Sequence, residues 1–258
     1  KTMTAVLTGE AQIGFMGSEA SIYTYTQGAS DYAVNFAQLT QRAGNFLVGR
    51  QEDPEFSWQK LKGMKVLGGR KGGMPEMVFE YILKKNGIDP EVDLEIDKSI
   101  DFGSTAAAFM GSDEAAYTVE FEPAATLLEQ QGAGYVVASL GVDSGYVPYT
   151  AYCAKKDYMA SHPELIQKFT NAVQRGLEYV ETHSPEEIAA VIAPQFAETD
   201  PDTITAIVKR YQDQDTWKMD LIFEQESFEL LQDILEDAGE LKERVPYENL
   251  VTVEYAKK

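Results

Sequence analysis

The chain has 258 residues, 44% of them hydrophobic and 25% charged, which is globular composition with enough length for a full core in one large domain or two lobes. Its formal net charge of −20, with no basic stripe to offset it, repels phosphate backbones and anionic bilayers and excludes nucleic-acid binding. No apolar run reaches the roughly 18 residues of a membrane span, and a lone cysteine, Cys153, excludes an internal disulfide and a cysteine-based zinc site.

The chain opens in amphipathic helix, with Met3, Val6 and Leu7 on one side, which points to a preceding segment in the natural protein. Gln12–Met16 then reads as a buried strand ending at Gly17, with Ser18 as cap of a helix from Glu19 to Gln27. Strands are expected over Ala33–Gln41 and Phe46–Gly49, followed by a polar loop, a turn of helix at Trp58–Leu61 and strand Lys65–Gly68. Pro75–Asn86 has proline at its first position and Gly87 just beyond, the expected helix asymmetry. Strand Val92–Asp97 precedes a helix over Thr105–Met110 capped by Ser104. Strand Ala115–Val119 leads to a helix opened by Pro123 and closed at Gly132. Tyr135–Ser139 and Tyr149–Ala154 complete the strands of this half.

Beyond Lys155 the chain turns helical. Ser161-His162-Pro163-Glu164 and Ser184-Pro185-Glu186-Glu187 each place a Ser cap, a first-position Pro and an early Glu. Asp200-Pro201-Asp202 starts another helix, Glu224–Ala238 forms the next, and a last strand is expected near Leu250–Val253. The many carboxylates on these helices read as a solvated face. Strands alternating with helices over the first 150 residues predict α/β architecture with a mostly parallel sheet.

The stretch Val66-Leu67-Gly68-Gly69-Arg70-Lys71-Gly72-Gly73-Met74-Pro75-Glu76 takes a strand through four glycines and two cations into a helix. Glycine lets the backbone approach a ligand, and the first helical N–H groups point into the loop. The pattern is neither a phosphate-binding NTPase loop nor a dinucleotide fingerprint. Three further strand-to-helix turns, Gly17-Ser18-Glu19, Phe102 to Thr105 and Glu120-Phe121-Glu122-Pro123, are of related design. Loops at the carboxyl ends of strands face one crevice in open α/β sheets, so repetition favours a ligand seat over ordinary connections.

The order and wording of these segments resemble the type II periplasmic-type solute-binding proteins of ABC importers, in particular the sulfonate, nitrate and thiamin-pyrimidine group. The resemblance rests on Leu7-Thr8-Gly9-Glu10-Ala11-Gln12-Ile13-Gly14, on Leu61-Lys62-Gly63-Met64-Lys65-Val66 with the glycine turn after it, on Tyr117 to Pro123 with Phe121-Glu122-Pro123 where the family has Trp-Glu-Pro, and on Tyr149 through His162-Pro163-Glu164-Leu165. Gln12 stands where the family has Asp, and the family's first strand, helix and second strand of lobe one have no counterpart here.

The resemblance implies two α/β lobes, residues 1–50 plus 149–258 and residues 51–148, closing on a ligand held in the cleft between them. It implies that Gly17, Ser18 and Glu19 line the cleft from one lobe, and Arg70, Lys71, Gly72, Gly73, Phe102, Ser104, Thr105, Phe121 and Glu122 from the other, with Tyr149 and Tyr152 near the hinge. Arg70 or Lys71 with the Gly72 and Gly73 N–H groups would hold an acidic or carbonyl group. Phe121, with Phe102 or Tyr23, would stack on a ring, and Glu122 would accept from an amine; the bland alternatives are core packing and a helix N-terminal charge. The implied protein is a monomeric extracytoplasmic binding protein, lipid-anchored or periplasmic, with a small-molecule ligand, an ABC permease as partner, no metal, no cofactor and no catalytic residue. Two other classes stand beside it: an enzyme of the thiamin-pyrimidine synthase type, which relies on a cysteine-rich segment, a reactive lysine and a histidine, and a ligand-sensing module of a regulator.

Overall fold

A computed structural model describes residues 1–256. The chain begins with α1 (Thr2–Thr8), β1 (Ile13–Gly17), α2 (Glu19–Thr26), β2 (Ala33–Thr40) and β3 (Asn45–Gly49). After a 3₁₀ turn at Trp58–Leu61 come β4 (Lys65–Leu67), α3 (Met74–Lys85), β5 (Glu95–Asp97), α4 (Phe102–Gly111), β6 (Tyr117–Phe121), α5 (Ala124–Gln130) and β7 (Tyr135–Ser139). The rest is α6 (Leu140–Ser144), β8 (Thr150–Lys155), α7 (Lys156–Ser161), α8 (Pro163–Thr182), α9 (Pro185–Ile192), α10 (Pro201–Asp213), α11 (Gln225–Asp237) and α12 (Tyr247–Leu250).

Local signals explain several boundaries. Pro75 sits in the first turn of α3, and Gly87 just past its end has φ 70°. Asp200 caps α10, its side chain accepting from Thr203 N at 3.1 Å. Three other expected caps are absent. Ser161 closes α7 and donates to Asp157 O at 2.8 Å, leaving His162 as the residue before α8. Ser18 and Ser104 cap nothing: the Ser18 hydroxyl donates to Pro148 O instead, and α4 starts two residues before Ser104. The expected strand at Leu250–Val253 is α12 followed by a single bridge from Val251 to Asn35.

The chain forms two compact units. The first holds residues 1–41, 146–184 and 217–258; the second holds 42–145 and 185–216. The expected lobe boundaries therefore shift. β3 lies in the second unit because it is hydrogen-bonded between β6 and β7, and α9 and α10 join it because α10 packs on α5.

The first unit carries a three-stranded sheet in the order β1-β8-β2, with both outer strands antiparallel to β8. Phe36, Ala154, Met159, Ile166, Leu177 and Leu221 make its core. The second unit carries a five-stranded sheet in the order β5-β4-β6-β3-β7. β4 is parallel to β5 and β6, whereas β3 is antiparallel to β6 and β7. Phe46, Val48, Leu67, Phe109, Ala125 and Leu128 fill the face under α4 and α5. The expectation of mostly parallel sheets is thus corrected: the first unit's sheet pairs its strands antiparallel, and the second unit's sheet is mixed. Helical crossovers join β1-α2-β2, β4-α3-β5, β5-α4-β6 and β6-α5-β7, as parallel strands require, but β8 inserts antiparallel between β1 and β2, and β3 inserts antiparallel between β6 and β7.

Candidate functional site

In the second unit β4, β5 and β6 run the same way, so the turns leaving their carboxyl ends share one rim of the sheet. β3 runs opposite to them, which brings its first residue, Asn45, to that rim directly across from Phe121. Phe102 opens α4 and packs edge-on against Phe121, with ring centroids 5.3 Å apart at 76°. Gly69, at φ +75°, lies under Phe102: a Cβ there would stand 2.1 Å from the ring. Glycine is required at 69 by both conformation and space. Gly69, Phe102, Phe121 and Asn45 therefore form one constellation within this unit.

One N–H of the glycine turn is already engaged within the chain. Glu76, third residue of α3, is 2% exposed and accepts the Gly72 N–H at 3.1 Å. The carboxylate reaches back past the N-cap Gly73 to the residue before it, and a carboxylate at that point also meets the favourable end of the helix dipole. Lys98 holds Glu76 at 3.2 Å, Glu91 at 3.1 Å and also Glu80. Burial, then Glu80, raises the Glu76 pKa. The expected role of the Gly72 N–H is taken by the chain itself, while Arg70 and Lys71 are exposed on the loop. The signal was in the sequence, in the Gly72-to-Glu76 spacing.

Glu122 is likewise committed internally. Its Oε1 accepts from Arg210 Nη1 at 2.6 Å and Thr126 Oγ1 at 2.9 Å, and its Oε2 from Thr126 N at 3.0 Å. Arg210 also grips Glu129 at 2.5 Å. Glu122 is thus a helix N-terminal carboxylate and half of an ion pair, not an acceptor open to an amine. Thr105 is fully buried, and its hydroxyl lies 3.0 Å from Glu120 Oε2, so it faces the core. Ser104 is exposed, and Gly73 is half-buried before α3.

Three residues passed over in the sequence reading matter here. Glu120 is 0% exposed, and its carboxyl accepts from Thr118 Oγ1 at 2.6 Å and Thr105 Oγ1 at 3.0 Å. Burial pushes its carboxyl up to about 7. Arg210, 88 residues from Glu122, ties α10 to α5. Asn45 is 0% exposed, and neither its Oδ1 nor its Nδ2 has a partner. An unpaired buried polar group costs about 1–3 kcal/mol, so this amide needs an explanation.

In the first unit, Gly17-Ser18-Glu19 follows β1. The Glu19 carboxyl folds back over Gly17, where a Cβ would lie 2.2 Å from Oε2. That oxygen is shut off from solvent without a hydrogen-bond partner, and burial pushes the group up to about 7. Ser18 is anchored to Pro148 O through its side chain and to Tyr149 O through its N–H at 3.4 Å. Tyr149 is 7% exposed. Tyr152 packs among the rings of Phe15, Phe36 and Phe169, with centroids at 4.7, 6.5 and 5.0 Å.

The sequence model of the family described as "NMT1/THI5 like" matches residues 1–188. The chain belongs to the NMT1/THI5-like family. YtlA of Bacillus subtilis (strain 168), provisionally named a binding protein, is 45% identical over all 258 residues of this chain and 77% of its own length. The periplasmic aliphatic sulphonate binding protein SsuA of Escherichia coli superposes with a TM-score of 0.77 at 17% identity, covering 99% of this chain and 84% of SsuA. The desulfurization enzyme DszB does so with a TM-score of 0.67 at 13% identity, covering 95% of this chain and 84% of DszB. These likenesses establish the periplasmic-binding-protein fold. They also place this NMT1/THI5-like chain on a scaffold that elsewhere serves catalysis, so function must be argued from the site. Among the described residues no helix is long and apolar enough to cross a membrane, and no cluster of three His, Cys, Asp or Glu stands at metal-binding distance.

Proposed function

We propose that this chain is an extracytoplasmic solute-binding protein that captures a small polar ligand by closure of its lobes and delivers it to an ABC permease. The observation that carries the reading is the rim of the second unit, where Gly69, Phe102, Phe121 and Asn45 converge at the carboxyl ends of parallel strands. The 45% identity to YtlA and the fold shared with SsuA support it. Closure would be driven by whatever differential contact the ligand makes with the closed form. Catalysis ranks second. His162 stacks on Tyr158 at 4.3 Å and His183 on Tyr179 at 3.6 Å, both at helix ends. Cys153 is buried, and its thiol is pushed up to about 12, so it is a poor nucleophile.

Thermal unfolding against a panel of alkanesulfonates, taurine, nitrate, bicarbonate, pyrimidines, riboflavin and thiamin tests the reading. A true ligand at 100 times its dissociation constant adds about 2.7 kcal/mol, a shift of several degrees for a chain of this size. A melting temperature unmoved by every member, together with turnover of any of them, would replace binding with catalysis.

A further inference from the structure

Asn45 is the one feature of the rim that the fold leaves unexplained. It occupies the first position of β3, directly opposite Phe121 in the antiparallel ladder. Residues so paired share a sheet face, with Cβ atoms about 4.5–5.5 Å apart. The ring is only partly buried and is held edge-on by Phe102. Asn45 is fully buried, and both of its amide atoms lack a partner. A buried hydroxyl without a partner, Ser144 Oγ, lies in α6, the helix that packs on β3.

Packing does not call for an amide at this position. Val119 and Leu47, the next pair on the same face of the ladder, are fully buried and apolar, and a leucine at 45 would continue them. A side chain of that shape would carry no unpaired donor or acceptor. An asparagine here offers one acceptor and one donor side by side, so its complement is a donor and an acceptor side by side. A sulfonate or carboxylate, which only accepts, would leave Oδ1 unmatched. The neighbouring ring gives a planar group a surface to stack on.

Resting on the binding-protein reading above, we infer that Asn45 is a specificity residue, which selects a planar ligand carrying an amide-type donor–acceptor edge, such as a carboxamide, ureide or lactam, stacked on Phe121. Anion recognition through the glycine turn is correspondingly disfavoured, because Glu76 already occupies the Gly72 N–H. The alternative partner for the amide is an ordered water with a purely structural role.

Calorimetric titration and thermal unfolding of wild type, Asn45→Leu and Asn45→Asp with uracil, nicotinamide and hydantoin, and with ethanesulfonate as acceptor-only control, decide the matter. We expect at least one amide probe to bind wild type. Asn45→Leu should weaken it about 10- to 100-fold, the range for leaving a ligand's polar edge unpaired. The same variant should melt above wild type without ligand, since an apolar side chain replaces an unpaired amide. Asn45→Asp, which keeps the size and loses the donor, should weaken the probe without that gain. Amide probes that bind wild type and Asn45→Leu equally would assign the amide to water and overturn the inference while leaving the binding reading intact. Binding of ethanesulfonate alone does the same. No binding by any probe, and none in the broader panel, would remove both.

Discussion

Glu120→Gln isolates the energetic effect of one buried carboxyl. In the folded protein Glu120 is 0% exposed and titrates at about 7, because burial outweighs the two threonine hydroxyls that bond to it. Unfolded, it returns to its ordinary value of 4.5. Below pH 4.5 both states hold the proton and the group adds no pH dependence. Between 4.5 and 7 only the folded state holds it, so stability falls as pH rises, by up to about 1.4 kcal/mol for each pH unit. The accumulated loss by pH 8 is about 3 kcal/mol. Glutamine keeps the shape, stays neutral, and lets the Thr118 and Thr105 hydroxyls exchange donor for acceptor roles. Guanidinium unfolding of both proteins from pH 4.5 to 8 should give curves that lie close together at the acid end and separate as pH rises, with the variant more stable by about 3 kcal/mol at pH 8. Glu19 slopes in the same direction but is common to both proteins and cancels in the difference. A difference that does not change with pH would mean that Glu120 is ionised in the fold and that the two threonine hydroxyls outweigh its burial.

Two further perturbations test the rim's framework. Gly69→Ala meets both a positive φ and the Phe102 ring at 2.1 Å, so it should destabilise by about 2 kcal/mol or more. Gly103→Ala, inside α4 with nothing within 4 Å of the new Cβ, should be neutral or stabilising by up to about 1 kcal/mol; paired urea titrations compare them, and equal effects would contradict the steric account. Arg210→Met removes the cation from Glu122, whose side chain is 3% exposed, and should cost about 3 kcal/mol. Arg210→Met combined with Glu122→Gln should recover part of that loss, and a double variant no more stable than the single one would show that the pair itself contributes little.

Local chemistry alone made much of the chain legible. Pro75 and Gly87 bracket α3, Asp200 caps α10, and the apolar runs at Ile13–Gly17 and Tyr135–Ser139 are strands, because caps, fixed proline φ and short buried runs act within a few residues. The glycine turn and the Phe121-Glu122-Pro123 turn were recognisable as parts of one rim for the same reason. What the sequence did not contain in local form was decided by tertiary structure. Strand pairing depended on which strand inserts between the crossover-joined ones, so β8 made the first sheet antiparallel and β3 made the second mixed. Glu122 looked available until Arg210, far along the chain, closed on it. Thr105 was expected to line the cleft, but its hydroxyl is bonded to the buried Glu120. Asn45 lay just outside the expected strand Phe46–Gly49, yet the ladder extends to it and buries it opposite Phe121. In each case the deciding partner is distant in sequence, and whether a polar group is solvated, paired or orphaned is a property of its surroundings after the chain has folded.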